Sequence, residues 1–267
     1  MMKKVTVRQI IKMKQDGVKI PVLTAYGYSM AQIVDDARIP VILVGDSVGM
    51  VEAGYDNTLP VTVEEIIYHT RSVARGRKGA LVVADMPFLS YQVSLDEARR
   101  NAGRIVKEGG AEAVKLEGGV AVAATIEAIV AMDIPVMGHV GLTPQSIHRM
   151  GGYRVQGKGE SEGKRIIEDA LAVEKAGAFA IVIEGVPASL AGEITAALSI
   201  PTIGIGAGPH CDGQVLVLHD LLGLFPDMAP AFVKRYAEVG KLISSAVKEY
   251  REDVETGRFP GKEHYSG

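Results

Sequence analysis

The stretch AVKLEGG, residues 113–119, sets Lys115 and Glu117 two positions apart in a run that is otherwise apolar. Side chains two apart on a β-strand share a face. An ammonium and a carboxylate would therefore point the same way from a segment whose Ala113, Val114 and Leu116 belong in a core. Three more apolar runs close on a carboxylate: VILVGDS on Asp46, LVVADMP on Asp85 and IVIEGVP on Glu184. With 32 acidic residues in 267, chance would place about one carboxylate at eight strand ends, and four are found.

Carboxylates that converge repel one another and lose hydration unless a cation joins them. Lys115 is one candidate and a bound metal is the other. Oxygen ligands from two or three carboxylates favour a hard divalent ion such as Mg²⁺. No cysteine or histidine cluster suggests structural zinc. A hard ion with open positions can chelate a 2-oxo acid and acidify the carbon beside the ketone. A carboxylate base then removes that proton to give a metal-stabilised enolate, while Lys115 pairs with the substrate carboxylate. Two other readings stay open. The acids could cap helix N-termini, where negative charge is favourable, although capping does not require adjacent strands. Lys115 could form a Schiff base with a ketone without any metal, although neighbouring carboxylates keep an amine charged.

His139 closes the run VMGHVG and is either a hydrogen-bonded structural residue or a participant in chemistry. Tyr26, in LTAYGY, reads more readily as core than as a substrate contact. In TIGIGAGPHCDGQ, Gly204, Gly206 and Gly208 alternate, which suits a phosphate cradle or clearance for a flat cosubstrate.

These groups need elements to position them. Eight β-rich runs recur, at 21–25, 41–45, 81–85, 113–117, 135–139, 179–184, 201–206 and 214–220. Helical patterns lie between them, and a last one covers 229–253. Near-continuous apolar runs indicate strands buried on both faces, as in a parallel sheet. Eight such units in about 250 residues predict a (β/α)8 barrel, a single domain over 1–267 with a short N-terminal helix. An open doubly wound sheet is the rival. Chemistry in such barrels occurs at the C-terminal strand ends. The long connections 46–62 and 140–160 would lie at that end. The second carries His148, Arg149, Arg154 and Lys158, as a lid or as a solvated loop.

Composition narrows the function classes. Hydrophobic residues make up 47% and charged residues 23%, with a net charge of −3 and no basic stripe of the kind nucleic-acid binders carry. No apolar run has the length of a membrane span. The start, MMKKVTVRQIIKMKQDG, has no apolar signal-peptide core. A single cysteine, Cys211, suits a reducing compartment. A cytoplasmic protein without nucleic-acid or membrane partners is expected.

The blocks GDSVGM, ADMPF, VKLEGG, MGHVGLTPQS, IVIEGVP and GIGAGPHCDGQVLVLHDLLG, in that order, closely resemble the ketopantoate hydroxymethyltransferase family, from about residue 4 to the FPGKEH near the C-terminus. The resemblance implies a barrel of the phosphoenolpyruvate/pyruvate type. It implies transfer of a hydroxymethyl group from 5,10-methylenetetrahydrofolate to 3-methyl-2-oxobutanoate, towards pantothenate. It places Asp46, Asp85 and Glu117 at the Mg²⁺ site, with Asp46 and Asp85 also touching the substrate. It places Ser47 on a substrate-contacting serine and Lys115 on the lysine that holds the substrate carboxylate. Glu184 falls on the proton acceptor, and His139 on a histidine near the substrate. It further implies a homo-oligomer, typically a decamer, and leaves room for folate beside the seventh strand. Other readings are a Mg²⁺-dependent 2-oxo-acid or phosphonate lyase of the same barrel type, and a non-catalytic barrel binding a phosphorylated ligand at GIGAG.

Overall fold

The computed structural model describes residues 4–225 and 230–266. Its strands are β1 (Ile20–Thr24), β2 (Val41–Val44), β3 (Leu81–Asp85), β4 (Ala113–Lys115), β5 (Val136–Gly141), β6 (Ala180–Glu184), β7 (Thr202–Ile205) and β8 (Gly213–Leu216). They pair in parallel in chain order, and β8 returns to β1 to close a barrel. The runs VILV and LVVAD are buried at every position, because helices cover the outer face and side chains fill the interior. Their β-branched residues suit a pleated, fully packed surface.

Helices alternate with the strands, and local chemistry fixes where several begin. Thr62 accepts the N–H of Glu65, and the Glu65 carboxylate accepts the Thr62 N–H, so the helix Val63–Gly76 opens on a capping box. Ser94 caps Leu95–Arg104 through the N–H of Glu97. At the opposite end of the barrel from the acids, Thr6 and Gln9 open the helix Val7–Gln15 in the same way. That helix sends Ile10, fully buried, into the core formed by the strand starts Ile20, Val41, Leu81 and Ala113. Such burial contributes about 1.5–3 kcal/mol. Lys14 ties it further to Asp212 at 2.9 Å.

Pairing in register carries function to one end. Asp85 lies opposite Lys115, and Gly141 opposite Glu184. β4 stops at Lys115, but Leu116 N–H donates to Met137 O and Gly118 N–H to His139 O, so Glu117 remains in extended chain just past the strand.

Two compact units are distinguished, one ending at Val217 and one beginning at Leu218. The first contains the whole barrel. The second contains the helices Leu218–Leu222 and Val239–Glu255, and the longer helix buries none of its residues. Two expected elements are corrected here. The eighth run was expected to reach 220. Its pairing ends at Leu216 opposite Leu23, and His219 and Asp220 belong to a short helix. The last helix was expected over 229–253. Residue 229 lies outside the described residues, and 230–238 is irregular. There Val233 N–H donates to Pro230 O, and Tyr236 N–H to Leu221 O. These contacts fold the segment back on the short helix, and regular helix begins only at Val239. Among the described residues, no helix is long and apolar enough to cross a membrane.

Candidate active site

The groups singled out by position come together at the C-terminal strand ends. Lys115 Nζ sits 3.1 Å from Asp85 Oδ1, as their register requires. The other oxygen of Asp85 accepts the backbone N–H of Asp46 at 3.0 Å. Gly45 leaves room for the Ser47 hydroxyl, which a Cβ there would meet at 3.0 Å. The Ser47 hydroxyl lies 2.7 Å from the Tyr26 hydroxyl. Tyr26 is therefore buried as expected of core, yet its polar end belongs to the site wall.

His139 links the remaining groups. Its Nδ1 lies 3.5 Å from Glu117 Oε1 and 3.4 Å from Lys115 Nζ, and its Nε2 lies 3.1 Å from Glu184 Oε2. Asp46, Asp85, Lys115, Glu117 and His139 are all buried, while Glu184 keeps 14% of its side chain exposed and is the most open of the acids.

Burial and mutual repulsion set the charge states. Burial, then Asp85 and Glu117, push the Asp46 carboxyl well above its usual range. Burial also raises Asp85, against the pull of Lys115. Glu117 is held low because His139 and Lys115 outweigh its burial. Burial would discharge Lys115, but Asp85, Glu117 and Asp46 more than offset this and hold its ammonium charged. That disfavours the nucleophilic amine a Schiff base needs. His139 is lowered by burial and by Lys115, yet contacts with Glu117 and Glu184 prevail and lift it to about 9.

Four acidic side chains thus crowd two cations, and burial with mutual repulsion pushes two of them, Asp46 and Asp85, towards the neutral acid. Asp85 Oδ1 and Glu117 Oε1 are buried acceptors without a hydrogen bond, engaged only by ion-pair contacts. Oxygen donors of this kind fit a hard cation at Asp46, Asp85 and Glu117, whose charge would favour the ionised carboxylates. The three are not closed into a shell, however. Among the described residues, no group of three or more His, Cys, Asp or Glu side chains is gathered to hold an ion. Each acid is drawn to its own partner instead: Asp85 to Lys115, Asp46 to Gln145, and Glu117 to His139 and Gln145.

The comparisons with known proteins bear on what this mouth serves. Residues 4–262 match the family described as ketopantoate hydroxymethyltransferase. The chain belongs to this family. A 3-methyl-2-oxobutanoate hydroxymethyltransferase of Geobacter sulfurreducens is 65% identical over 259 residues, covering 97% of each chain. One from Geobacter metallireducens is 64% identical over 264 residues, covering 99% of each. Among solved structures, phosphoenolpyruvate phosphomutase from Streptomyces platensis aligns with a TM-score of 0.64 at 14% identity, covering 98% of this chain and 92% of that one. Phosphonopyruvate hydrolase in complex with oxalate and Mg²⁺ aligns at 0.62 and 13%, covering 97% and 93%. At such identities the likeness is one of fold alone, a closed barrel of parallel strands ringed by helices.

Two features differ from the sequence reading. Two of the three alternating glycines, Gly204 and Gly208, do not open a space. A Cβ on Gly204 would press against Cys211 Sγ and Gln214 Nε2, both at 3.0 Å, and one on Gly208 against Ala188. At these two positions neighbouring protein atoms take up the room. The connection after β5, read as a lid or a solvated loop, divides in two. Leu142, Thr143 and Gln145 are buried, and only the part from His148 onward is largely exposed. Gln145 and Tyr91, both in contact with the acids, went unread because neutral residues in loops carry no periodic or charge signal.

Proposed function

We infer that the protein transfers a hydroxymethyl group to 3-methyl-2-oxobutanoate, giving 2-dehydropantoate for pantothenate synthesis. The observation that carries this reading is the likeness, along nearly the whole chain, to relatives named for that activity. The one-carbon donor is 5,10-methylenetetrahydrofolate, and Asp46, Asp85 and Glu117 are the residues that would hold one Mg²⁺ per subunit. When bound, such an ion withdraws electron density from a 2-oxo acid and acidifies its C3 position.

The chain's own residues carry the proton and hold the substrate. Lys115, an ammonium paired with Asp85 at 3.1 Å, holds the substrate carboxylate. Ser47, beside Asp46, supplies a further hydroxyl contact. Glu184, the most open acid, takes the C3 proton. The His139 imidazolium, 3.1 Å from Glu184 Oε2, orients that carboxylate as it works. The carbon so activated bonds to the one-carbon unit, both carbon–nitrogen bonds from that unit to folate break, and water supplies the hydroxyl oxygen; the two folate nitrogens take up the C3 proton and one proton of the water.

The enzyme works in the cytoplasm as a homo-oligomer, a decamer. Ile243, Val247, Tyr250 and Val254 support assembly: they form one exposed apolar stripe at helical spacing on Val239–Glu255.

Exchange of the C3 hydrogen in deuterium oxide tests the assignment of the base. Wild-type protein with 3-methyl-2-oxobutanoate and Mg²⁺ exchanges it without folate. Glu184→Gln binds the substrate but loses about 10²–10⁴-fold in exchange rate. Wild-type exchange in that variant would move the base to another residue.

A further inference from the structure

A neutral residue binds two of the acids at once. Gln145 is 6% exposed, and its side-chain amide sits between the loops that follow β2, β3 and β5. Nε2 donates to Asp46 Oδ2 at 2.8 Å and to the Met86 carbonyl at 3.0 Å. Oε1 accepts from the Tyr91 hydroxyl at 2.8 Å and from Gln92 Nε2 at 3.3 Å. Its backbone N–H donates to Glu117 Oε2 at 3.0 Å. A carbonyl can only accept, so Met86 fixes which way the amide faces. The amide must then present N–H, not oxygen, to Asp46.

Tyr91, 2% exposed, closes the circuit. Its hydroxyl accepts the Glu117 N–H at 3.2 Å and faces two acceptors for its one proton, Gln145 Oε1 at 2.8 Å and the Glu117 carbonyl at 3.1 Å, of which Gln145 is the nearer. Gln145, Tyr91 and Glu117 thus close a ring of hydrogen bonds, and Asp46 is joined to it through the Gln145 amide, so four separate loops meet here. Gln145 engages one oxygen of each carboxylate, Asp46 Oδ2 and Glu117 Oε2. Asp46 Oδ1 stays outside this ring, and Glu117 Oε1 has only the 3.5 Å contact with His139.

We propose that Gln145 is a positioning residue for the cation site: with Tyr91, it fixes the orientation and separation of Asp46 and Glu117 so that their remaining oxygens serve one divalent ion. It carries no charge, so it aligns two repelling carboxylates without competing for the ion. This inference rests on the reading of Asp46, Asp85 and Glu117 as metal ligands.

The test uses chelator-stripped full-length protein titrated with Mn²⁺, followed by calorimetry and by the electron paramagnetic resonance signal of free Mn²⁺. Gln145→Met keeps the volume and removes both arms of the amide, and its Mn²⁺ dissociation constant rises about 10–100-fold. Tyr91→Phe removes one hydroxyl from the ring and weakens binding in the same direction, which keeps the test decisive should Gln145→Met fold poorly. The bound Mn²⁺ spectrum changes in both variants, a readout that loss of stability alone does not move. Wild-type binding with both variants within twofold of it would overturn the positioning role and leave the metal site standing. No Mn²⁺ binding by wild type would overturn both.

Discussion

At the scale of single residues, the site is a problem of charge balance. Lys115 and His139 stand among four carboxylates, and each cation is held charged by acids that repel one another. His139 gives this a measurable sign. Its pKa is raised from 6.5 to about 9 in the folded protein, so its protonated form favours folding. That contribution is complete below about pH 6.5 and disappears as pH rises through about 9. Thermal unfolding of metal-free protein and of His139→Gln, compared from pH 6 to 10, should show their difference in Tm shrink across that window. A difference that stays constant would mean the imidazole is not held charged by Glu117 and Glu184. The acids themselves were legible in the sequence, because a carboxylate closing an apolar run is improbable by chance. Gln145 was not, since its burial follows from the path of the whole loop that carries it.

At the scale of elements, that path begins at the end of β5. Gly141 has φ +92°, a conformation that residues with a side chain rarely adopt. A Cβ there would also run into the Glu184 carbonyl. The turn allows Leu142 N–H to donate to Glu184 O at 2.8 Å, which directs the following residues down onto the acids. Gly141→Ala should therefore destabilise the protein by about 1–3 kcal/mol in denaturant unfolding. It should also lower activity by more than the unfolded fraction explains, because Gln145 shifts with the turn. Full activity in a stably folded variant would detach this loop from the site. The strands were legible because apolar runs at regular intervals leave little choice of element. Pattern alone could not show how the seventh strand packs: Gly204 looks like open space until Cys211 is seen beside it. Likewise, amphipathic spacing ran ahead of the true start of the last helix, since the chain before Val239 is held by backbone contacts that spacing does not encode.

At the scale of the whole molecule, the closed barrel brings residues from β2 to β6, distant in sequence, to one end. The exposed stripe on Val239–Glu255 bears on assembly. Light scattering should give a mass near ten chains, and Val247→Glu with Tyr250→Glu should reduce it; a monomeric wild type would contradict the oligomer. The central claim concerns the reaction itself. Purified protein is supplied with 3-methyl-2-oxobutanoate, 5,10-methylenetetrahydrofolate and Mg²⁺, each omitted in turn, and 2-dehydropantoate is measured. Product should form in the complete mixture and fall to background with any omission; its absence from the complete mixture, or its undiminished formation without folate or without metal, would contradict the account.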